Sequence, residues 1–125
     1  MIEEIAEDLY RIEIPLPEYY PKSVNAYVVR DKERNLIIDA GLQDETCKHS
    51  VKADLRHLGI DLTKTDFFIT HGHGDHVGLV PSLIHSGSVV HLNRLEADFI
   101  QKMESGVFFQ EIQGHYRMLR VEIVC

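Results

Sequence analysis

The sequence lacks most features of a secreted, membrane-bound or nucleic-acid-binding protein. It has two cysteines, Cys47 and Cys125, far apart in the chain. That spacing builds no disulfide framework, so a reducing cytosol is the expected compartment. No apolar run approaches the roughly 20 residues of a membrane span. The start, MIEEIAEDLY, is acidic where a signal peptide is basic. These absences predict a soluble, cytoplasmic protein without membrane contact. Positive charge is also scarce: 13 Lys and Arg stand against 20 Asp and Glu, for a formal net charge of -7. A phosphate-backbone binder carries a basic face, so nucleic acid is not an expected partner. The sequence has no internal repeat, no low-complexity tract and no nucleophile elbow.

The 125 residues suggest a single domain, and 44% hydrophobic content can supply one core. The first third reads as strands. LYRIEI (Leu9 to Ile14) alternates apolar and polar residues until Pro15 and Pro17 end it. The proline-bounded loop that follows holds Tyr19 and Tyr20, for contact with substrate, a partner chain or their own hairpin. NAYVVRD and NLIIDAG form a strand pair around the turn DKER. The second strand is apolar up to Asp39, which predicts burial on both faces. The acid-rich start EEIAED reads as a solvated edge.

Cys47, Val51, Leu55 and Leu58 then recur at helical spacing, with Gly59 as a stop. DFFIT is a further strand. Leu79, Val80, Leu83 and Ile84 suit a short helix with Pro81 in its first turn. SVVHL is a strand. Two more helical stretches are expected, one on Leu95, Phe99 and Met103, the other on Phe108, Ile112, Tyr116 and Leu119. MLRVEIVC closes the chain as an apolar, strand-like segment. Strands alternate with helices through the middle, which gives an α/β or α+β class.

Chemistry concentrates between DFFIT and the following helix. Residues His71 to His76 read HGHGDH, three histidines and an aspartate spaced by Gly72 and Gly74. Imidazole nitrogen and carboxylate oxygen are the donors that zinc accepts. On a flat strand, alternate side chains share a face but stand about 6–7 Å apart. Ligands of one metal must converge more closely, and glycine is the residue that lets the backbone bend. A sharp loop at the end of a buried strand would aim all four side chains into one pocket.

The pattern His-x-His-x-Asp-His after a strand resembles that of the metallo-β-lactamase superfamily. VNAYVV, LIIDAGL, a helix and FFITHGHGDHVGL follow in the family's N-terminal order, nearest the glyoxalase II-like hydrolases. The resemblance implies an αββα sandwich with a mixed sheet and helices on one face, of which residues 1–125 supply the first half. It implies a two-metal site: His71 and His73 ligate the first metal, Asp75 and His76 the second. Asp75 also orients the attacking water, and Asp39 supports the loop from beneath. Zinc is the expected metal, with iron or manganese as alternatives.

In the family a later histidine, a bridging aspartate and a final histidine come from the second half. His91 and His115 are the downstream histidines weighed for such a role. The expectation is a truncated chain with about half of the coordination and little activity of its own. Three functions follow: a metal-dependent hydrolase of a small thioester, lactone or phosphoester substrate; a catalytically silent metal-binding half-domain that associates with another chain; or an iron-dependent redox member of the same fold. The inner face of a lone half-sheet predicts either a homodimer or a missing second half.

Overall fold

The computed structural model describes residues 1–18, 20–96, 98 and 120–124, the last group through its backbone. Its strands are β1 (Ile2–Ala6), β2 (Leu9–Pro15), β3 (Ser23–Val29), β4 (Asn35–Ile38), β5 (Thr65–Ile69), β6 (Val89–Asn93) and β7 (Arg120–Val124). Its helices are α1 (Glu45–His57), α2 (Gly74–Val77) and α3 (Val80–Leu83). All the strands join one mixed sheet whose spatial order is their chain order. Neighbours from β1 to β4 run antiparallel, and those from β4 to β7 run parallel.

Period-two alternation decides which face is covered. Tyr10, Val28, Ile37, Phe67 and Val90 lie in one register row, and all are buried. The α1 helix packs on β2 and buries Cys47, Val51 and Leu55 in the same core. Val77, Leu79, Val80 and Leu83 complete it from α2 and α3. The next row over, Arg11, Tyr27, Ile38, Phe68 and His91, points to the other face and is only half-buried. The expected two-sided burial of β4 is therefore corrected. Asn35 and Ile37 are buried, whereas Leu36 and Ile38 are not, because the helices cover one side of the sheet.

Caps set the ends of α1. Asp44 accepts from the Thr46 and Cys47 amides at 3.0 and 3.2 Å. Gly59, at φ 72°, turns the chain out of the helix in the left-handed region. The acid-rich start forms the edge strand β1, with most of its residues exposed. Leu95 does not face the core; it is 79% exposed. Phe99, Met103 and the stretch from Phe108 to Leu119 lie outside the described residues, as does Tyr19. Among the described residues, no helix is long and apolar enough to cross a membrane.

One packing detail ties the fold to the loop of interest. The chain after β4 meets the end of α2: Ala40 donates to the His76 carbonyl at 2.8 Å, and Leu79 donates to the Gly41 carbonyl at 3.1 Å. Gly78 allows this approach. A Cβ there would stand 2.7 Å from Gln43 N and 2.6 Å from the Gly74 carbonyl oxygen. Backbone cannot yield as a flexible side chain can, so Gly78→Ala is expected to cost about 1–3 kcal/mol. Urea denaturation checks this; an unchanged midpoint and slope would show that the two segments separate freely.

Candidate metal centre

The β5 strand ends at Ile69, and the backbone bends through Thr70, His71, Gly72 and His73 before α2 begins. His73 takes the N-cap position of α2 in extended geometry, and Asp75 and His76 fall within the helix. Three rings are thus brought together. The His71 and His73 centroids are 4.8 Å apart, nearly perpendicular at 87°. Those of His71 and His76 are 3.9 Å apart, tilted at 47°. The His76 Nε2 lies 3.6 Å from Asp75 Oδ2. Cluster and aspartate therefore form one patch at the carboxyl ends of the parallel strands, where open α/β sheets place their ligands.

Asp39 sits under this patch. It follows β4, the parallel neighbour of β5, and its amide donates to the Phe68 carbonyl at 2.9 Å. Its φ of 62° is unusual for a residue with a side chain, though aspartate tolerates that region better than most. The turn aims the carboxylate back under the loop. Oδ1 accepts from the Thr70 amide at 2.9 Å. Oδ2 accepts from the Thr70 hydroxyl at 2.7 Å and faces His76 Nδ1 at 3.0 Å. Asp39 is 6% exposed, so these partners replace the water its charge would otherwise need.

That network assigns tautomers. An ionised carboxylate only accepts, so Nδ1 of His76 is the nitrogen that carries a proton, and the neutral ring keeps its lone pair on Nε2. The Thr70 hydroxyl spends its proton on Asp39, so it accepts from His71 Nδ1, 3.0 Å away. In its neutral form His71 likewise has its lone pair on Nε2. One buried carboxylate orients both rings, directly and through a hydroxyl, in the manner of the carboxylates behind metal-ligating histidines.

The four loop side chains do not close on one point. Among the described residues, no group of three or more His, Cys, Asp or Glu is arranged as a ready cage for a metal ion. This corrects the expectation of a single converged pocket: the rings pack edge and tilt against one another. The donor chemistry nevertheless fits a divalent metal, with imidazoles hydrogen-bonded through Nδ1 beside a carboxylate.

Other candidates are placed elsewhere wherever the structure describes them. His91 lies within β6, paired to Phe68 on the half-covered face. His115 lies outside the described residues. Cys47 is a core thiol: burial raises its pKa, and Sγ donates to the Pro15 carbonyl at 2.9 Å. A cavity of about 480 Å³ opens at the other end of the sheet. Some of its lining groups serve one another: Arg30 donates to Asp8 Oδ1 and the Asp31 amide donates to Asn35 Oδ1. Two contributors escaped sequence reasoning. Thr70 adjoins the motif and could have been suspected on that ground. Glu96 accepts from the Gly72 amide at 3.2 Å and carried no signal beyond its place after a strand.

The sequence profile of the Metallo-beta-lactamase superfamily matches residues 19–120. The chain belongs to this superfamily. Solved structures agree on the fold. A metallo-beta-lactamase family protein from Thermus thermophilus superposes with a TM-score of 0.68 at 19% identity, over 98% of this chain and 47% of its own. A beta-lactamase domain protein from Burkholderia ambifaria gives 0.72 at 22% identity, over 84% of this chain and 35% of its own. A class B3 di-zinc metallo-beta-lactamase from an Alaskan soil metagenome gives 0.57 at 24% identity, over 74% and 32%. The superfamily member described here therefore spans less than half the length of these structures. No curated protein matches it in sequence.

Proposed function

We propose that this chain supplies the metal-holding loop of a metal-dependent hydrolase acting on a small thioester, lactone or phosphoester. The observation that carries the reading is the Asp39 hub, which engages Nδ1 of His76 directly and Nδ1 of His71 through Thr70 and so leaves Nε2 of each ring for a metal. A network of that kind has little purpose for a loop that only turns the chain. His71 and His73 would hold one metal, Asp75 and His76 a second. Bound there, zinc would polarise the scissile bond and lower the pKa of water. Asp75 is half-buried beside His76 and reachable by solvent, where its carboxylate would orient the attacking water. Asp39 and Thr70 hold the rings still while this happens.

The test joins metal content to turnover. After metal stripping and dialysis against zinc, elemental analysis should find zinc retained by the chain. Any hydrolysis of a thioester, lactone or phosphodiester panel should disappear both with chelator and in His73→Ala. Turnover that survives in His73→Ala contradicts the reading.

A second reading, the association of this chain with a second copy, draws support from Tyr27, Ile38 and Phe68. They stand side by side on the half-covered sheet face. Two-fold dimers are the commonest way a chain covers such a surface. Light scattering at micromolar concentration should then report a mass above the 14.4 kDa of one chain. A 14.4 kDa species that binds no apolar dye would remove this reading.

A further inference from the structure

Gly72 lies between His71 and His73, and it is buried. A buried amide needs an acceptor. Its partner is not on the loop. The Gly72 N–H donates to Glu96 Oε2 at 3.2 Å, across 24 residues of sequence. Glu96 follows β6 closely. Asn93, the last residue of that strand, accepts from the Leu95 amide with its side-chain oxygen at 2.8 Å, which starts a new turn. Asn93 and Glu96 thus have the spacing of a capping box, in which the acidic side chain would reach back to its own turn. Here a carboxylate oxygen crosses to the neighbouring loop.

The place it grips matters. Rotating the peptide that carries the Gly72 N–H swings the His71 and His73 side chains relative to each other. Asp39 already fixes His76 and, through Thr70, His71. His73 is exposed, and the loop reaches it through Gly72. We infer that Glu96 is a positioning residue: its carboxylate locks the Gly72 peptide and so sets the His71–His73 pair against the Asp39-held ring. The consequence for metal rests on the reading under Proposed function; the mechanical claim does not.

The experiment compares the parent chain with Glu96→Ala and Glu96→Gln. Glutamine keeps a side-chain carbonyl that can accept from Gly72; alanine removes the acceptor. In metal-free protein, Gly72 amide exchange measured by NMR should quicken about tenfold or more in E96A and stay near the parent rate in E96Q. Zinc affinity measured by calorimetry should fall about tenfold in E96A, the lower end for loss of a group behind a ligand, and recover in E96Q. Melting temperatures of the three proteins identify any general loss of fold. Unchanged Gly72 exchange in E96A overturns the inference. So does an E96Q variant that loses zinc as fully as E96A while its Gly72 amide stays protected, since the charge would then matter and not the grip. If the parent chain binds no zinc, the metal reading fails by itself, and the exchange rates still decide whether Glu96 is the lock.

Discussion

The double variant His71→Ala, His73→Ala should give no heat of zinc binding under conditions where the parent chain binds. The expectation follows from counting donors. Zinc at a catalytic site commonly takes three protein ligands and a water. The loop offers four side chains, and this variant leaves Asp75 and His76, one carboxylate and one imidazole. Loss of fold would not account for the result. His73 is exposed and His71 half-buried, and both stand outside the core. Loss of the His71 bond to Thr70 is expected to cost about 0.5–1.5 kcal/mol, well short of unfolding a domain. A cooperative melting curve with no zinc uptake is thus the predicted pair of observations. Uptake equal to that of the parent would take the metal away from this loop.

Asp39→Asn is the second large effect, and it acts without touching a ligand. The side chain keeps its shape, and asparagine tolerates a φ of 62° as well as aspartate does. Its oxygen can still accept from the Thr70 amide. The other atom becomes an NH₂ group and can only donate. His76 Nδ1, now 3.0 Å from a donor, must accept, so its proton moves to Nε2. The nitrogen that faced Asp75 then carries a hydrogen where a metal needs a lone pair. Thr70 inverts in the same sense and passes the reversal to His71. Zinc affinity should fall about 10- to 100-fold. Nitrogen NMR of the metal-free variant should show His76 protonated on Nε2. Persistence of the Nδ1 form together with parent-like affinity would break the argument. Asp39→Ala is the cruder comparison, since it adds roughly 1–2 kcal/mol of left-handed strain.

Local signals and long-range geometry divided what could be read in advance. Helix α1 was legible because Cys47, Val51 and Leu55 repeat at helical spacing between an aspartate cap and a glycine stop. Strand β5 was legible as a short apolar run ending at the histidines. Half-covered β4 was misread, because the three apolar residues Leu36, Ile37 and Ile38 look alike whether one or two layers cover them. The donor types of the loop were visible in HGHGDH. Their mutual arrangement was not: it depends on Asp39 from another strand end, on Glu96 beyond β6 and on the close approach at Gly78. Contacts across 37 or 24 residues leave no periodic trace in a single sequence. The role of Asp39 came from family resemblance, and the bonds that give it a physical basis came from the structure.

The agreement between strand order and chain order has a kinetic consequence. Every strand in the sheet pairs with its immediate predecessor. No early strand must wait past its successor, and the antiparallel pairings from β1 to β4 span less sequence than parallel ones such as Ile37 with Phe67. Nearer pairings close at a lower entropic cost than remote ones, so the antiparallel part is favoured to form first. During synthesis, β1 to β4 can already zip into a meander while β5 is still being made. Asp39 would then stand at the rim of that nascent sheet before its partners exist. The arrival of β5 delivers Thr70 and His76 to it, so the bonds under the histidines act as a late latch on assembly.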